Sequence, residues 1–284
     1  RIIHTLSSNA LSVLPPGVFR RLVNLEQLHL DGNQLVSLSR MPRLKELYLY
    51  NTNLSTVPWN LFANMTGLMS LNLHINEKLT SLPRNLFCCL PNLLKLSLRY
   101  NSLQALQPDQ FSQLTKLQIL LLNGNMLQSL PARIFYNLPK LAKLELSNNY
   151  LKNLPGDTFL DLNSLQSVTL GHNRWDCTCS ITGFVEWLNQ NQRVVSDVDD
   201  VLCHKPQLLQ NRKLTSLTFE YIFSYTTCTI FNFTLHTDTE REGKRERERE
   251  REREWEELFA LINGTIVWNF LHCFPYSAIL LQVM

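Results

Sequence analysis

The chain has 284 residues, a formal net charge of +3 and a hydrophobic content of 44%. This length is enough for one or two domains, and the apolar content is enough for a continuous core. The net charge is too small to indicate a nucleic-acid ligand or an anionic membrane surface. The charge is unevenly distributed, because residues 240–257 are almost entirely Arg and Glu.

A single frame of leucines and asparagines recurs along residues 1–173. Its clearest copy is LQILLLNGNMLQSLPARIFYNL at residues 117–138. The asparagine position of the frame is occupied in turn by Asn9, Asn33, Thr52, Asn76, Asn101, Asn125, Asn149 and Asn173. The intervals between these residues are 24, 19, 24, 25, 24, 24 and 24. A constant period of this length with this leucine pattern indicates leucine-rich repeats.

Each copy predicts a short strand, a turn at the asparagine and a loose return. Stacked copies pair their strands into a parallel sheet and curve the stack, so the predicted fold class is an α/β solenoid with a parallel concave sheet. A second ladder of aromatic residues should fill the convex side of this solenoid. It consists of Phe19, Phe62, Phe87, Phe111, Phe135 and Phe159.

The first two copies depart from the frame. Arg1, His4 and Leu6 occupy the leucine positions of the first copy, so we expect it to be truncated, with any N-terminal cap preceding Arg1. The second copy reaches the next one five residues early and has Arg43 where a phenylalanine is expected. A degenerate short repeat and a functional bend are the two interpretations of this second copy.

Side chains that point away from the leucines should line the concave face, because alternate residues of a strand face opposite sides. The outward triplets are Gln27, His29, Asp31; Glu46, Tyr48, Tyr50; Ser70, Asn72, His74; Lys95, Ser97, Arg99; Ile119, Leu121, Asn123; Lys143, Glu145, Ser147; and Ser167, Thr169, Gly171. Tyrosines are common anchors at protein interfaces. We therefore predict a protein-binding strip that combines tyrosines, a basic step and an exposed apolar spot. Its candidate residues are Glu46, Tyr48, Tyr50, His74, Lys95, Arg99, Ile119 and Leu121. The competing interpretation is that solenoid faces carry varied residues without binding anything.

Four asparagines fit the N-glycosylation pattern, and Asn53 and Asn64 lie off the predicted core positions. They are the candidate glycosylation sites if the protein is secreted. The other two, Asn232 and Asn263, fall in the tail. Cys88 and Cys89 follow a spine phenylalanine at loop positions, where we expect free surface thiols.

The period stops after Asn173, where the sequence GHNRWDCTCSITGFVEWLNQNQ predicts a helix from about Gly183. A solenoid end exposes a leucine layer and needs a cap. Four cysteines, Cys177, Cys179, Cys203 and Cys228, are available to staple that cap, and they allow three disulfide pairings. A zinc site made of Cys177, Cys179, Cys203 and His204 is the rival interpretation, although Cys-x-Cys is tight for zinc.

The repeats, with the Asn-x-Trp-x-Cys-x-Cys and Trp-Leu motifs that follow them, resemble extracellular leucine-rich repeat proteins with a cysteine-rich C-terminal flanking domain. The resemblance covers about residues 1–220, with departures at Arg174 and Thr178. It implies that Cys177 pairs with Cys203 and Cys179 with Cys228. Disulfides of this kind imply an oxidising compartment, hence an extracellular or cell-surface location.

The tail differs in character from the rest of the chain. Arg and Glu alternate strictly over 245–254, which predicts a solvated, disordered run or translated non-coding sequence in the gene model. Residues 258–284 contain no Asp, Glu, Lys or Arg and are long enough to span a bilayer, but polar residues interrupt them. Membrane anchorage therefore stays open. The predicted divisions are a solenoid at 1–170, a cap at 171–228 and a tail at 229–284.

The sequence contains no nucleophile elbow, metalloprotease helix, phosphate loop or dinucleotide fingerprint. The open concave face is a poor place for catalysis, so we expect no enzyme activity, no cofactor, no metal site and no small-molecule substrate. Two functions remain. The first is an adhesion and recognition ectodomain that binds a protein ligand or receptor subunits, and the second is a soluble scaffold subunit that stabilises a secreted enzyme.

Overall fold

The computed structural model describes residues 2–222 except 13, 16–17, 20, 23, 36–40, 42, 53, 56, 64 and 219–220. Eight parallel strands form one sheet in chain order, β1-β2-β3-β4-β5-β6-β7-β8. The strands are β1 Ile2–Thr5, β2 Leu25–His29, β3 Glu46–Tyr48, β4 Ser70–Asn72, β5 Lys95–Ser97, β6 Ile119–Leu121, β7 Lys143–Glu145 and β8 Ser167–Thr169. The predicted solenoid with a parallel sheet is confirmed.

The leucines of the frame form the core between the sheet and the returns. Leu120 and Leu122 of the central repeat are fully buried, and so are their counterparts in the neighbouring repeats. Each strand contributes one inward layer, which packs on the layers before and after it. The core is therefore built by neighbouring repeats alone, as expected for a solenoid.

The side chain at the asparagine position forms hydrogen bonds with backbone groups of the turns that follow the strands. Asn125 Nδ2 donates to the carbonyl oxygens of Leu98 and Leu122, both at 2.9 Å. Its Oδ1 accepts a hydrogen bond from the N–H of Leu103 at 3.1 Å. One side chain thus satisfies backbone groups of two consecutive repeats, which would otherwise be buried without partners. Thr52 lacks the amide donor and instead donates its hydroxyl to Asn76 Oδ1.

The phenylalanine ladder lies buried on the convex side, as predicted. Phe135 and Phe159 stack with ring centroids 6.4 Å apart. Trp187 continues the ladder into the C-terminal end, because its ring centroid lies 4.4 Å from that of Phe159. The same aromatic column thus crosses the boundary at which the sequence period stops.

Beyond Asn173 the chain forms a small cap, by which we mean the described residues from 175 to 222. It contains β9 Trp175–Asp176, helix α1 Thr182–Gln190 and β10 Cys203–Lys205, with β9 and β10 paired in parallel. Short 3-10 helices occupy Cys179–Ile181, Gln192–Val194, Val198–Asp200, Gln207–Leu209 and Leu214–Ser216. The helix predicted from about Gly183 is confirmed.

Aromatic packing and a disulfide hold the cap together. Trp175 is fully buried, and its ring centroid lies 4.8 Å from that of Phe184. Cys177 and Cys203 form a disulfide with a Cα–Cα distance of 5.7 Å. The zinc interpretation is wrong, because both of these sulfurs are bonded to each other. Cys179 is also disulfide-bonded, and Cys228, the partner that the resemblance implies, lies outside the described residues.

Asp197 closes the open edge of the sheet next to β8. Its carboxylate accepts hydrogen bonds at 2.8 Å from the backbone N–H groups of both Leu170 and Gly171. Val195 forms a parallel bridge with Val168, which extends the ladder into the cap. Unpaired backbone groups at a sheet edge can pair with strands of other chains. Asp197 and Val195 occupy these groups next to β8, so the sheet ends there.

The short second repeat does not interrupt the ladder, because β2 and β3 pair in parallel with an unshifted register. Within the described residues, no helix has both the length and the apolar character that crossing a membrane requires. The predictions for the tail at 229–284 lie outside the described residues. The divisions at 170 and 228 stay predictions.

Candidate functional site

The outward side chains of β2 to β8 form three rows across the concave face. The strand register aligns the first row, Gln27, Glu46, Ser70, Lys95, Ile119, Lys143 and Ser167, as the sequence frame predicted. The second row is His29, Tyr48, Asn72, Ser97, Leu121, Glu145 and Thr169. Backbone bonds from Gly32, Asn51, Ile75, Tyr100, Gly124 and Asn148 to the neighbouring carbonyls continue the ladder to the third row. That row runs from Asp31 through Tyr50, His74, Arg99, Asn123 and Ser147 to Gly171.

Two histidine–tyrosine pairs stack on the N-terminal half of this face. The rings of His29 and Tyr48 are nearly parallel, with centroids 4.2 Å apart. The rings of Tyr50 and His74 are 4.6 Å apart with a 4° angle between their planes. Adjacent parallel strands are spaced by about 4.8 Å, so residues in register present their rings face to face. The result is a stiff aromatic platform of four half-buried side chains.

Hydrogen bonds orient two of these rings, Tyr48 and His74. The Tyr48 hydroxyl donates to Glu46 Oε2 at 2.8 Å. His74 Nδ1 is hydrogen-bonded to Asn72 Oδ1. His29 Nδ1 lies 3.7 Å from Asp31 Oδ2. Side chains held in this way lose less conformational entropy when a ligand binds them.

Burial shifts the pKa of His74 in the platform and of Asp31 on the same row. Burial lowers the pKa of His74, and the nearby Arg99 cation lowers it further, against the opposing effect of Asp31. His74 is therefore neutral at neutral pH. Burial raises the pKa of Asp31, although the N–H of Tyr50 and the hydroxyl of Ser7 donate hydrogen bonds to its carboxylate.

The other half of the face contains an ion-pair cluster. Arg99 Nη2 lies 2.6 Å from Glu145 Oε2, and Lys143 Nζ lies 2.9 Å from Glu145 Oε1. Burial raises the pKa of Glu145, but the hydrogen bonds from Lys143 and Arg99 outweigh this and hold it below its usual range. With Lys95 exposed on the first row, the cluster has three cations and one carboxylate.

The Arg99–Glu145 pair joins β5 to β7 and so has to cross β6, about 9.6 Å in strand spacing. On β6, Leu121 lies in register with Ser97 on one side and Glu145 on the other, and it is only 6% exposed. The prediction of an exposed apolar spot is therefore wrong for Leu121, whereas Ile119 on the first row is partly exposed. Leu121 is thus buried although it lies on the outward face of the sheet, in register with Glu145.

The structure brings six of the eight candidate residues into two groups. Tyr48, Tyr50 and His74 belong to the platform, and Glu46 accepts the hydrogen bond from Tyr48. Lys95 and Arg99 belong to the ion-pair cluster. Sequence reasoning missed the roles of Lys143 and Glu145, although both stood in the outward triplets. The signal available was opposite charge at outward positions that lie two strands apart.

Two polar atoms beside the cluster are unsatisfied. Among the described residues, Arg99 Nε and Asn123 Oδ1 are buried and have no hydrogen-bond partner. They belong to neighbouring positions of the third row, between the platform and Glu145. Buried polar groups without partners are costly, so both favour a ligand that supplies an acceptor and a donor.

The glycosylation candidates Asn53 and Asn64 lie outside the described residues, as do Asn232 and Asn263. Cys88 is exposed and Cys89 is partly exposed, and both are free, as expected.

Comparisons with known proteins agree with this architecture. A family model described as leucine rich repeat matches residues 5–35, 42–103, 66–127 and 115–174, which together make up more than half of the chain. The chain therefore belongs to the leucine-rich repeat family.

Two similar proteins extend the comparison. CD180 antigen of Mus musculus is 41% identical over 49 residues, which are 17% of this chain and only 7% of that protein. The crystal structure of human 5T4 (Wnt-activated inhibitory factor 1, trophoblast glycoprotein) has a TM-score of 0.62 and 29% sequence identity. That similarity covers 75% of this chain and 84% of the 5T4 chain. Members of this family typically act as protein-binding modules.

Proposed function

We propose that this chain is the recognition ectodomain of an extracellular or cell-surface protein and that it binds a protein partner on the concave face. The observation that carries the proposal is the aromatic platform, His29–Tyr48 and Tyr50–His74, set directly beside the Arg99 cluster. Tyrosine and arginine are among the residues that dominate the energetics of protein interfaces.

The two halves of the face select complementary features of the partner. The platform offers flat, half-buried rings for an apolar or aromatic side chain. The cluster has an excess of cations around Glu145, so it favours an acidic side chain next to that anchor. Arg99 Nε and Asn123 Oδ1 gain hydrogen bonds if a backbone or amide group of the partner reaches them.

The same geometry disfavours catalysis and supports a non-enzymatic role. His29 and His74 are engaged in ring stacks on an open face, where water has free access. Catalytic groups gain most of their effect in sites that exclude water. We therefore infer a binding protein without a cofactor.

The location outside the cell is supported by two findings. The Cys177–Cys203 disulfide requires oxidising conditions of the kind found in secreted and surface proteins. The structurally similar 5T4 carries the name trophoblast glycoprotein, which agrees with the glycosylation motifs at Asn53 and Asn64, two of the four in this chain.

The test compares a concave variant with a convex control. Tyr48→Ser, Tyr50→Ser and Arg99→Gln are combined in one protein, and Trp59→Ser and Tyr136→Ser in another, because these convex aromatics are 61% and 52% exposed. Partners captured from plasma and platelet lysate are identified, and their Kd values are measured with each variant. We expect at least a hundredfold loss of affinity in the concave variant alone. Equal affinity of all three proteins would refute the proposal.

Two versions of this proposal differ in the class of partner. Both rest on the similarity of the last repeat and the cap to particular proteins. The segment LPGDTF…LGHNRWDCTCSITGFVEWLNQ resembles platelet glycoprotein V, which supports a platelet-type adhesion receptor subunit. The same segment resembles, in second place, the regulatory subunit of carboxypeptidase N. This resemblance supports a soluble scaffold that stabilises a secreted enzyme. Expression in mammalian cells separates them: the protein stays on the cell surface in the first case, and it enters the medium and co-purifies with an enzyme in the second.

A further inference from the structure

Cys88 and Cys89 form a pair of adjacent thiols on the convex side, away from the concave site. Their Sγ atoms are 2.7 Å apart, and one thiol donates a hydrogen bond to the other. A disulfide bond is about 2.05 Å long, so the two sulfurs are close to bonding distance without being bonded. Cys88 is exposed and Cys89 is partly exposed, which gives a reagent access to the pair.

The surrounding backbone holds the two cysteines in place. Phe87 precedes them and Leu90 follows them, and each of these core side chains is only 1% exposed. The Cys88 N–H donates to the carbonyl of Asn85 at 3.2 Å, and the Leu90 N–H donates to that of Phe87 at 3.4 Å. The dithiol is therefore a fixed surface feature between two core anchors rather than a loose loop.

We propose that Cys88 and Cys89 act together as a redox-active dithiol site that reacts with a low-molecular-weight disulfide and closes to a disulfide between neighbouring residues. The proximity of the two sulfurs makes the second, intramolecular step fast compared with reaction at an isolated cysteine. The site takes thiol–disulfide reagents of the glutathione type and, when reduced, soft thiol-binding ions such as trivalent arsenic.

The reaction conserves atoms and electrons as follows. Burial and the hydrogen bond with Cys89 raise the pKa of the Cys88 thiol to about 11, so Cys89 is the better first nucleophile. The thiolate of Cys89 attacks a sulfur of the external disulfide, whose S–S bond breaks and releases one thiolate. The thiolate of the second cysteine then attacks the protein sulfur of this mixed disulfide, and the second external thiolate leaves. The cysteine pair loses two electrons and two protons, and the external disulfide is reduced to two thiols.

A disulfide between Cys88 and Cys89 strains the chain, so the bond is easily reduced again. Disulfides usually join Cα atoms about 4.4–6.8 Å apart, whereas neighbouring Cα atoms are about 3.8 Å apart across a trans peptide. The anchors Phe87 and Leu90 limit relaxation of the turn between them. Strained, exposed disulfides are reduced more easily than structural ones, so this bond should open under conditions that leave Cys177–Cys203 intact.

The experiment uses the full folded chain in glutathione buffers of graded oxidised-to-reduced ratio. Free thiols are trapped by alkylation, and trypsin then cuts after Arg84 and Lys95 to release residues 85–95, whose only cysteines are Cys88 and Cys89. We expect this peptide to lose two hydrogen atoms without a glutathione adduct, and to return to the dithiol in reducing buffers. The control variants Cys88→Ser and Cys89→Ser should stop at the mixed disulfide.

A second probe does not depend on oxidation. Phenylarsine oxide bridges two thiols, so it should bind the wild-type chain roughly a hundredfold more tightly than either single variant. Glutathione adducts on wild-type residues 85–95 at the level of the single variants, or equal arsenical affinity in all three proteins, would overturn the proposal.

Discussion

The inward and outward residues of the same strands follow different rules. The central inward residues of β2 to β8 are Leu28, Leu47, Leu71, Leu96, Leu120, Leu144 and Val168, all buried to the same degree. The outward residues one position later are His29, Tyr48, Asn72, Ser97, Leu121, Glu145 and Thr169. An inward residue faces an almost identical layer on each side, so one shape fits all repeats. An outward residue faces solvent and its lateral neighbours, so its identity is free to serve recognition.

The largest effect on stability is expected from removing an inward leucine. Leu120→Ala deletes a fully buried side chain at the centre of the stack. We expect a loss of about 2–5 kcal/mol in the free energy of unfolding, because the two flanking layers cannot collapse into the space. The neighbouring outward change, Ile119→Ala, should cost less than about 1 kcal/mol. Urea denaturation of both variants checks the contrast, and equal losses would contradict it.

The next largest effect is expected at the asparagine position. Asn125→Ala leaves the carbonyls of Leu98 and Leu122 and the N–H of Leu103 without their side-chain partner. We expect a loss of about 2–4 kcal/mol, because these backbone groups stay buried. Thr52→Ala is the matched control, since the Thr52 hydroxyl donates to one side-chain oxygen, Asn76 Oδ1. The Thr52 variant should lose about 1 kcal/mol in the same urea titration.

An outward residue also contributes to stability where charges are paired. Glu145→Gln removes the carboxylate that Arg99 and Lys143 share, and we expect a cost of about 1–3 kcal/mol at neutral pH. The folded pKa of Glu145 lies below its unfolded value of 4.5. Its contribution is therefore present above pH 4.5 and is lost as the pH falls through the lower folded pKa. The free energy of unfolding is measured from neutral to acid pH. The wild-type value should fall as Glu145 becomes protonated, and the variant should lack this part of the fall.

The inner architecture could be predicted because its signals are periodic. The spacing of leucines and asparagines determined the strand register, and Phe19 to Phe159 marked the convex spine. Individual contacts outside the period could not be predicted in the same way. Nothing local in the sequence showed that Asp197 covers the backbone of Leu170 and Gly171, since 26 residues separate Asp197 from Gly171. Nothing local in the sequence showed either that Leu121, which lies in register with Glu145 on the outward face, is buried.

The smallest stability effect is expected on the aromatic platform, where the two roles of the outward face can be separated. Tyr50→Ala removes the ring that stacks on His74, which should cost about 0.5–1.5 kcal/mol. Tyr50→Phe keeps the ring and should leave stability unchanged to within about 0.5 kcal/mol. Thermal unfolding of the pair measures how much the stack itself stabilises the repeats. A loss as large as that of Leu120→Ala would show that the platform is part of the core. A small loss accompanied by a large loss of partner affinity is the result expected if these rings are retained for recognition.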